Sequence, residues 1–119
     1  MEPSELRKLA HQQGPEQTLA QQLSMAYGCT IPEDVVSLVA TFPNGEFLEG
    51  PFCRKMSVRE VLAAENFLHV DFRRHAIVPV FDCGDNDFIC FQLANGRWTK
   101  FNIVDEISFA DAADWTELI

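Results

Sequence analysis

The segment AIVPVFDCGDNDFICFQLANGRWTKFNIV, residues 76–104, decides the fold of this chain. It contains three strand-like stretches, Ile77 to Phe81, Phe88 to Leu93 and Arg97 to Val104, separated by short polar segments. Apolar stretches bounded by Asp, Asn and Gly are typical of β-strands. The Asn-Gly pair within residues 94–96 favours a tight hairpin loop, because both residues tolerate positive φ. The pattern therefore predicts three antiparallel strands in succession.

The middle stretch has apolar side chains on both faces. Because alternate residues of a strand point to opposite sides, Phe88 and Cys90 share one face, while Ile89, Phe91 and Leu93 share the other. A strand that is apolar on both sides is typically covered on both sides. We therefore expect a central strand with Ile89, Phe91 and Leu93 buried, helices on one side and further chain on the other.

Pro79 lies within the first stretch. Proline has no backbone N–H to donate, so strands tolerate it at an edge or at an irregularity. We therefore expect the pairing of the first strand to be absent or irregular near Pro79.

Several other stretches have the features of helices, with apolar residues three and four apart and a capping residue or proline at the start. We expect helices over residues 3–12, from Pro15 to Tyr27 with Gly28 as the stop, from a capping box at Thr30 to Phe42 with Pro43 as the stop, from a capping box at Ser57 to Phe67, and from Ser108 to Leu118. Phe42 and Phe67 are expected to face inward. Glu46 to Leu48 is expected to form a short strand, and residues 69–75 a loop or a frayed helix.

Length and composition favour a single domain over residues 1–119. Of the 119 residues, 47% are hydrophobic, including ten Phe, so a core can form without metal or disulfide support. The net charge is −9, with 18 Asp and Glu against 9 Lys and Arg. Because nucleic acids and anionic membranes attract cationic surfaces, this balance argues against both as direct partners. It is compatible with a basic protein partner.

The four cysteines are predicted to be free thiols. Cys29, Cys53, Cys83 and Cys90 include no C-x-x-C pair and do not have the spacing of a usual zinc site. The polar start MEPSELRK is unlike a signal peptide, and no apolar run is long enough to span a bilayer. These features favour a cytoplasmic protein, in which disulfides are rare.

One predicted turn, residues 82–87, contains three aspartates, Asp82, Asp85 and Asp87. Three carboxylates can bind calcium, but their spacing differs from that of an EF-hand, and its distal Glu is absent. Asp, Asn and Gly are also ordinary turn-forming residues. We rank a simple turn first, a protein contact second and a metal site last, and we predict neither a metal nor a cofactor.

The sequence has no arrangement typical of a catalytic site, and we predict no enzyme activity. His11, His69 and His75 form no metal-ligand pair, and Cys83 with His75 lacks the context of a nucleophile and its base. Trp98 belongs to a residue type that is enriched at protein interfaces, although a tryptophan on such a strand more often lies at the edge of a core.

Taken in order, the motifs resemble the SUKH superfamily, which includes bacterial immunity proteins and a fungal regulator of cell-wall synthesis. The resemblance spans roughly residues 30–119. It is carried by Ile31-Pro32-Glu33-Asp34 at a helix start, Phe42-Pro43-Asn44-Gly45 after that helix, Ile77-Val78-Pro79-Val80-Phe81 with Gly84-Asp85, the strand Phe88 to Leu93, and Val104 with Ser108-Phe109 at the start of the last helix.

The resemblance implies an α+β domain with a central, curved, mostly antiparallel sheet flanked by helices. Residues 1–29 would be a helical N-terminal extension packed on it. It also implies a cytoplasmic binding protein, in many members an immunity protein that neutralises a bacterial toxin, such as a basic nuclease domain. A scaffold or regulatory interaction domain and a small-ligand or metal-binding domain remain as alternatives. The residues predicted to bind the partner are Asp82, Asp85, Asp87 and Trp98.

Overall fold

Six antiparallel strands form one sheet, in which the order of the strands is their order along the chain. The computed structural model describes residues 18–48 and 53–119. The strands are β1 (Glu46–Phe47), β2 (Arg54–Lys55), β3 (Ile77–Asp82), β4 (Asp87–Gln92), β5 (Trp98–Asn102) and β6 (Ile107–Ala112). Together with the helices this confirms the predicted α+β class with a mainly antiparallel sheet.

Four α-helices and one 3₁₀ helix accompany the sheet in the described ranges. They are α1 (Leu19–Tyr27), α2 (Glu33–Ala40), α3 (Val58–Leu68), α4 (Phe72–His75) and the 3₁₀ helix Trp115–Leu118. The helix predicted over residues 3–12 lies outside the described residues. Of the helices described, none has the length and apolar character needed to cross a bilayer.

The predicted meander is confirmed as β3, β4 and β5, with β4 at its centre. Phe88, Ile89, Cys90 and Phe91 are all nearly inaccessible to solvent, as expected for a strand covered on both faces. The prediction that Leu93 is buried was wrong, because β4 ends at Gln92 and Leu93 is a half-buried residue of the following turn.

Pairing is irregular next to Pro79, as expected. Pro79 opposes Cys90 and Phe81 opposes Ile89, so that Val80 is an extra residue in β3. Such a bulge allows a strand to include a residue that cannot donate to the ladder.

Reciprocal capping boxes fix the starts of α1 and α3. In α3, Ser57 accepts from the backbone of Glu60 while the Glu60 side chain accepts from the backbone of Ser57, which confirms the predicted capping box. In α1, Thr18 and Gln21 form an equivalent pair, and Gly28 ends the helix with a φ of 77°, as predicted for a glycine stop.

The predicted capping box at Thr30 was wrong. The residue that precedes α2 is Pro32, and it makes no side-chain hydrogen bond to the helix. Instead, Glu33 and Asp34 lie in the first turn, where carboxylates favour the positive end of the helix dipole. The start of α2 is therefore stabilised by two acidic side chains and by the fixed φ of Pro32.

Two phenylalanines expected in the core are exposed. Phe42 lies beyond the end of α2, has a φ of 51° and is 48% exposed. Phe67 is in the last turn of α3 and is 46% exposed. The helical spacing in the sequence predicts that both belong to apolar helix faces. Both lie at or beyond the C-terminal end of a helix, where the apolar face is no longer covered.

The helix predicted from Ser108 was wrong, because Ile107–Ala112 is the sixth strand. It pairs with β5 from Trp98 opposite Ala112 to Asn102 opposite Ile107, with Phe109 as an extra, bulged residue. If residues 107–112 formed a helix, the backbone N–H and C=O groups on the outer edge of β5 would have no partner from this segment. Pairing with β6 satisfies them. The short 3₁₀ helix Trp115–Leu118 is the only helical part of the predicted segment.

Helices cover one face of the sheet, and the 3₁₀ helix covers the other. From α4, within the stretch predicted as loop or frayed helix, the fully buried Phe72 contacts Phe101 of β5 with a ring separation of 6.1 Å. Trp115 stacks on Phe81 of β3 at 4.6 Å, and Leu118 is buried beside it. This places β4 between two covered faces, as its sequence predicts.

The described part of the N-terminal extension is integral to the core. Leu23 of α1 is fully buried, and the hydroxyl of Tyr27 donates to the carbonyl of Val61 in α3 at 2.5 Å. Burial raises the pKa of this hydroxyl, since a phenolate would be charged in an apolar environment. Within the described residues, α1 therefore packs against α3.

Candidate functional site

The acidic residues predicted to bind a partner lie in the turn between β3 and β4. The turn is closed by backbone hydrogen bonds from Asp87 to the Gly84 carbonyl at 2.9 Å and from Cys83 to the Asp87 carbonyl at 2.8 Å. The side chain of Asp82 accepts from the backbone of Gly84 at 2.9 Å. Residues 82–87 therefore form a turn with a defined shape, in which Asp and Gly have turn-forming roles.

The three aspartates have different surroundings. Asp82 lies 3.7 Å from the guanidinium of Arg54, and Asp87 accepts from the amide of Asn102 at 2.8 Å. Asp85 is exposed at the tip, with a φ of 51°. Only Asp85 therefore presents its carboxylate without one of these protein contacts.

The loop between β5 and β6 lies directly beside this turn. The backbone of Ile103 donates to the carbonyl of Asn86 at 2.9 Å, while the side chain of Asn102 accepts from the backbones of Val104 and Asp105. These contacts bring Asp105 and Glu106 to the end of the sheet that carries the three aspartates. We call residues 82–87 and 103–106 together the acidic end.

Apolar side chains are exposed at the acidic end. Val104 is 69% exposed, and Ile107, which directly follows the acidic end at the start of β6, is 54% exposed. Their neighbours in the chain, Asp105 and Glu106, are exposed acids. The acidic end therefore places carboxylates next to exposed apolar side chains, and one of these carboxylates, that of Glu106, lies 3.1 Å from the imidazole of His75.

Trp98 is not part of the acidic end. Asp87 pairs with Asn102 and Phe91 pairs with Trp98, so Trp98 lies four residues further along β5, about 13 Å away at the rise of a strand. Trp98 is 6% exposed and contacts the ring of Phe91 edge-on at 5.2 Å. The structure thus brings the three predicted aspartates together and leaves the predicted tryptophan in the core at the other end.

An ion pair connects the acidic end to α3. Arg54 donates through both terminal nitrogens to Glu60, each at 2.7 Å. The guanidinium holds the pKa of Glu60 at about 2, and the carboxylate in turn raises the pKa of Arg54. Because Arg54 also approaches Asp82, one cation orients both the helix cap and the start of the acidic turn.

The described residues do not assemble a metal centre. Within residues 18–48 and 53–119, no three His, Cys, Asp or Glu side chains lie together in a way that could hold a metal ion. In the acidic turn, one carboxylate oxygen of Asp82 accepts from Gly84 and one of Asp87 accepts from Asn102.

The structure contains all four cysteines as free thiols. Cys29 is exposed and Cys90 is buried, whereas the sulfurs of Cys53 and Cys83 approach to 2.7 Å. Burial raises the pKa of Cys90 and, together with the contact to Cys53, that of Cys83.

No protein-family profile, curated protein or solved structure matches this chain. The candidate site is therefore defined by its own geometry and charge. The sequence reveals its first half through Asp82, Asp85 and Asp87. The second half, Asp105 and Glu106, was missed because the hydrogen bonds that bring this loop beside the turn, from Ile103 to the Asn86 carbonyl and from Val104 and Asp105 to the Asn102 side chain, join residues of separate turns and leave no pattern in the sequence.

Proposed function

We propose that this chain is a non-enzymatic protein-binding domain that uses its acidic end to dock a basic protein surface. The observation that carries the proposal is the meeting of two acidic loops, residues 82–87 and 103–106, held together by the hydrogen bonds of Asn86 and Asn102. A surface that combines several carboxylates with exposed apolar side chains suits a partner with the opposite charge and an apolar centre.

The charge of the whole chain favours the same class of partner. With a net charge of −9, the domain repels anionic polymers and membranes and attracts cationic proteins at long range. Nucleases have basic substrate-binding surfaces, which an acidic inhibitor can cover. This supports a basic toxin domain as the partner and an immunity protein as the finer role, acting in the cytoplasm.

The likeness to the SUKH superfamily supports this finer role through its helix and meander motifs. The Ile31-Pro32-Glu33-Asp34 motif spans the start of α2, and the motifs from Ile77 to Leu93 coincide with β3, the acidic turn and β4. Ser108-Phe109 does not contribute, because both residues lie in β6. The proposal therefore depends on the motifs before residue 94 and on the acidic end.

A scaffold or regulatory interaction domain would use the same surface without neutralising a toxin. Co-expression with the product of the adjacent gene separates the two roles. An immunity protein forms a stable complex with that product and abolishes its toxicity. A complex without any toxicity to neutralise would favour the scaffold.

The acidic end is tested by measuring association rates at low salt. The variant carries Asp85→Asn and Asp105→Asn, and the matched control carries Glu33→Gln and Glu65→Gln, which removes two exposed charges from helices. We expect association of the first variant to slow several-fold and to lose part of its salt dependence, with dissociation changing less. Equal rates for variant and control, or substrate turnover by the isolated protein, would contradict the proposal.

A further inference from the structure

Two cysteines flank the paired strands β2 and β3 at opposing positions. Cys53 precedes β2 and Cys83 follows β3, thirty residues apart in sequence, with their sulfurs 2.7 Å apart. Arg54 opposes Asp82 in this antiparallel pair, so the next opposing pair outward is Cys53 with Cys83. The two thiols are thus cross-strand neighbours.

The hydrogen-bond pattern gives this pair the closer of the two cross-strand spacings. Met56 donates to the Val80 carbonyl at 2.9 Å, which makes residues 56 and 80 a hydrogen-bonded pair. Such pairs alternate with non-hydrogen-bonded ones, in which the Cα atoms are about 4.5 Å apart. Counting outward, residues 53 and 83 form a non-hydrogen-bonded pair. A disulfide needs Cα atoms about 4.4–6.8 Å apart, and the register meets that requirement.

The backbones of Cys53 and Cys83 each form a hydrogen bond on the side that points away from the other cysteine. The carbonyl of Cys53 accepts from Leu48 beside β1 at 3.1 Å, and the N–H of Cys83 donates to Asp87 at 2.8 Å. These bonds hold the two residues in the ladder from either side, so the strand positions that set the sulfur separation are fixed by neighbours other than the thiols themselves.

We propose that Cys53 and Cys83 are a reversible redox pair that closes to a disulfide on exchange with a small-molecule or protein disulfide. The thiolate of Cys83, the half-buried member, attacks one sulfur of the oxidant and releases the other as a thiolate. The thiolate of the buried Cys53 then attacks the sulfur of Cys83 and releases the second thiol. The pair loses two electrons and two protons, and the oxidant is reduced to two thiols.

The burial of the two thiols determines the rate of thiol–disulfide exchange. The attacking species is a thiolate, and burial raises the pKa of Cys83. Exchange is therefore slow near neutral pH and becomes faster as the pH rises. The partial burial of the Cys83 sulfur also slows exchange, because it limits contact with the oxidant. The exposed Cys29 has no such limit.

Oxidised glutathione is the probe for this pair, and a Cys29→Ala background prevents links between molecules. The folded variant is incubated with the probe, then denatured, and its thiols are counted and mapped by mass spectrometry. We expect the three thiols of this variant to fall to one, with a Cys53–Cys83 cross-linked peptide, and the loss to accelerate with pH. The oxidised form should unfold at a higher urea concentration than the reduced form.

The control is Cys29→Ala with Cys83→Ser, which should keep both remaining thiols and show the same urea midpoint with and without the probe. If this control fails to fold, the peptide map of Cys29→Ala decides alone. Three persistent thiols, a bridge to Cys90, glutathione retained on Cys83, or an oxidised form less stable than the reduced one would each overturn the proposal. The test needs no binding partner, so its result is independent of the proposed function.

Discussion

At the scale of single residues, Lys55 is the most unusual side chain of the core. It is 1% exposed, and its ammonium donates to the carbonyl of Val39 at 2.9 Å and to that of Met56 at 2.6 Å. Val39 lies in the last turn of α2, where a cation complements the negative end of the helix. Lys55 therefore connects the end of α2 to β2.

The first prediction concerns the pH dependence of this lysine. Desolvation lowers the pKa of Lys55 to about 8, whereas an unfolded lysine titrates near 10.4. Between these values the unfolded state binds more protons, so the contribution of Lys55 to stability increases with pH and reaches its full value above the unfolded pKa. In Lys55→Met, the stability deficit relative to wild type should grow by about 1–3 kcal/mol from pH 7.5 to 10.5.

Urea unfolding of both proteins across that range is the measurement. Tyr27, Cys83 and Cys90 titrate in both proteins, so their effects cancel in the difference. A difference that stays constant with pH would show that Lys55 keeps its proton in the fold.

The second prediction concerns Tyr27. Its hydroxyl donates to the Val61 carbonyl, and the side chain is 6% exposed. Tyr27→Phe keeps the ring and removes one buried hydrogen bond, which should lower the free energy of unfolding by about 1 kcal/mol. Chemical denaturation measures the loss, and Met25→Leu, at an exposed position of the same helix, is the control that should leave it unchanged.

At the scale of elements, β4 holds the sheet together, because both of its neighbours and both of its faces are occupied. Phe91 is 5% exposed and contacts Trp98. We predict that Phe91→Ala lowers the free energy of unfolding by about 3–5 kcal/mol, the usual cost of emptying a buried aromatic site. An unchanged melting temperature would mean that β4 is not central, and Phe109→Ala, at an exposed site on the edge strand β6, should have little effect.

The elements also show which parts of the fold can be predicted from sequence. The meander could be predicted because its strands, turns and Pro79 bulge are each encoded by neighbouring residues. β6 could not, because its conformation depends on a free edge of β5 and not on a pattern of its own. Five of its six residues are not buried, so the alternation that identifies strands is absent.

The same distinction applies to the candidate site. The aspartates of residues 82–87 are adjacent in sequence, and their turn was predictable from Asp, Asn and Gly. The position of residues 103–106 depends on the hydrogen bond that Ile103 donates to the Asn86 carbonyl and on those that the Asn102 side chain accepts from Val104 and Asp105. The burial of Trp98 could not be predicted from its residue type, which suits both an interface and a core, because it depends on the register of β5 against β4.

At the scale of the whole molecule, one face of the sheet depends on the last few residues for its cover. Trp115 and Leu118 of the 3₁₀ helix lie over β3, β4 and β5. Deleting residues 114–119 should expose Phe81 and its neighbours, lower the melting temperature and increase binding of the dye ANS, which reports exposed apolar surface.

A single substitution tests the packing of the Trp115 side chain without deleting any residue. Trp115→Ala removes the stack on Phe81 and should destabilise the protein by about 2 kcal/mol, with a smaller increase in ANS binding. Thr116→Ala, at an exposed position of the same turn, is the matched control. A truncated protein as stable as the full chain would show that the second face needs no cover.

The matching order of strands in the sheet and in the chain has a consequence for synthesis on the ribosome. Each strand pairs with the one translated just before it, so the sheet can grow by one hairpin at a time as the nascent chain emerges, without waiting for distant partners. Trp115 and Leu118 follow every strand, so the second face is covered only after all six strands have been translated. Until then the nascent sheet presents Phe81 and Phe91 to its surroundings, and this interval is when a chaperone would bind it.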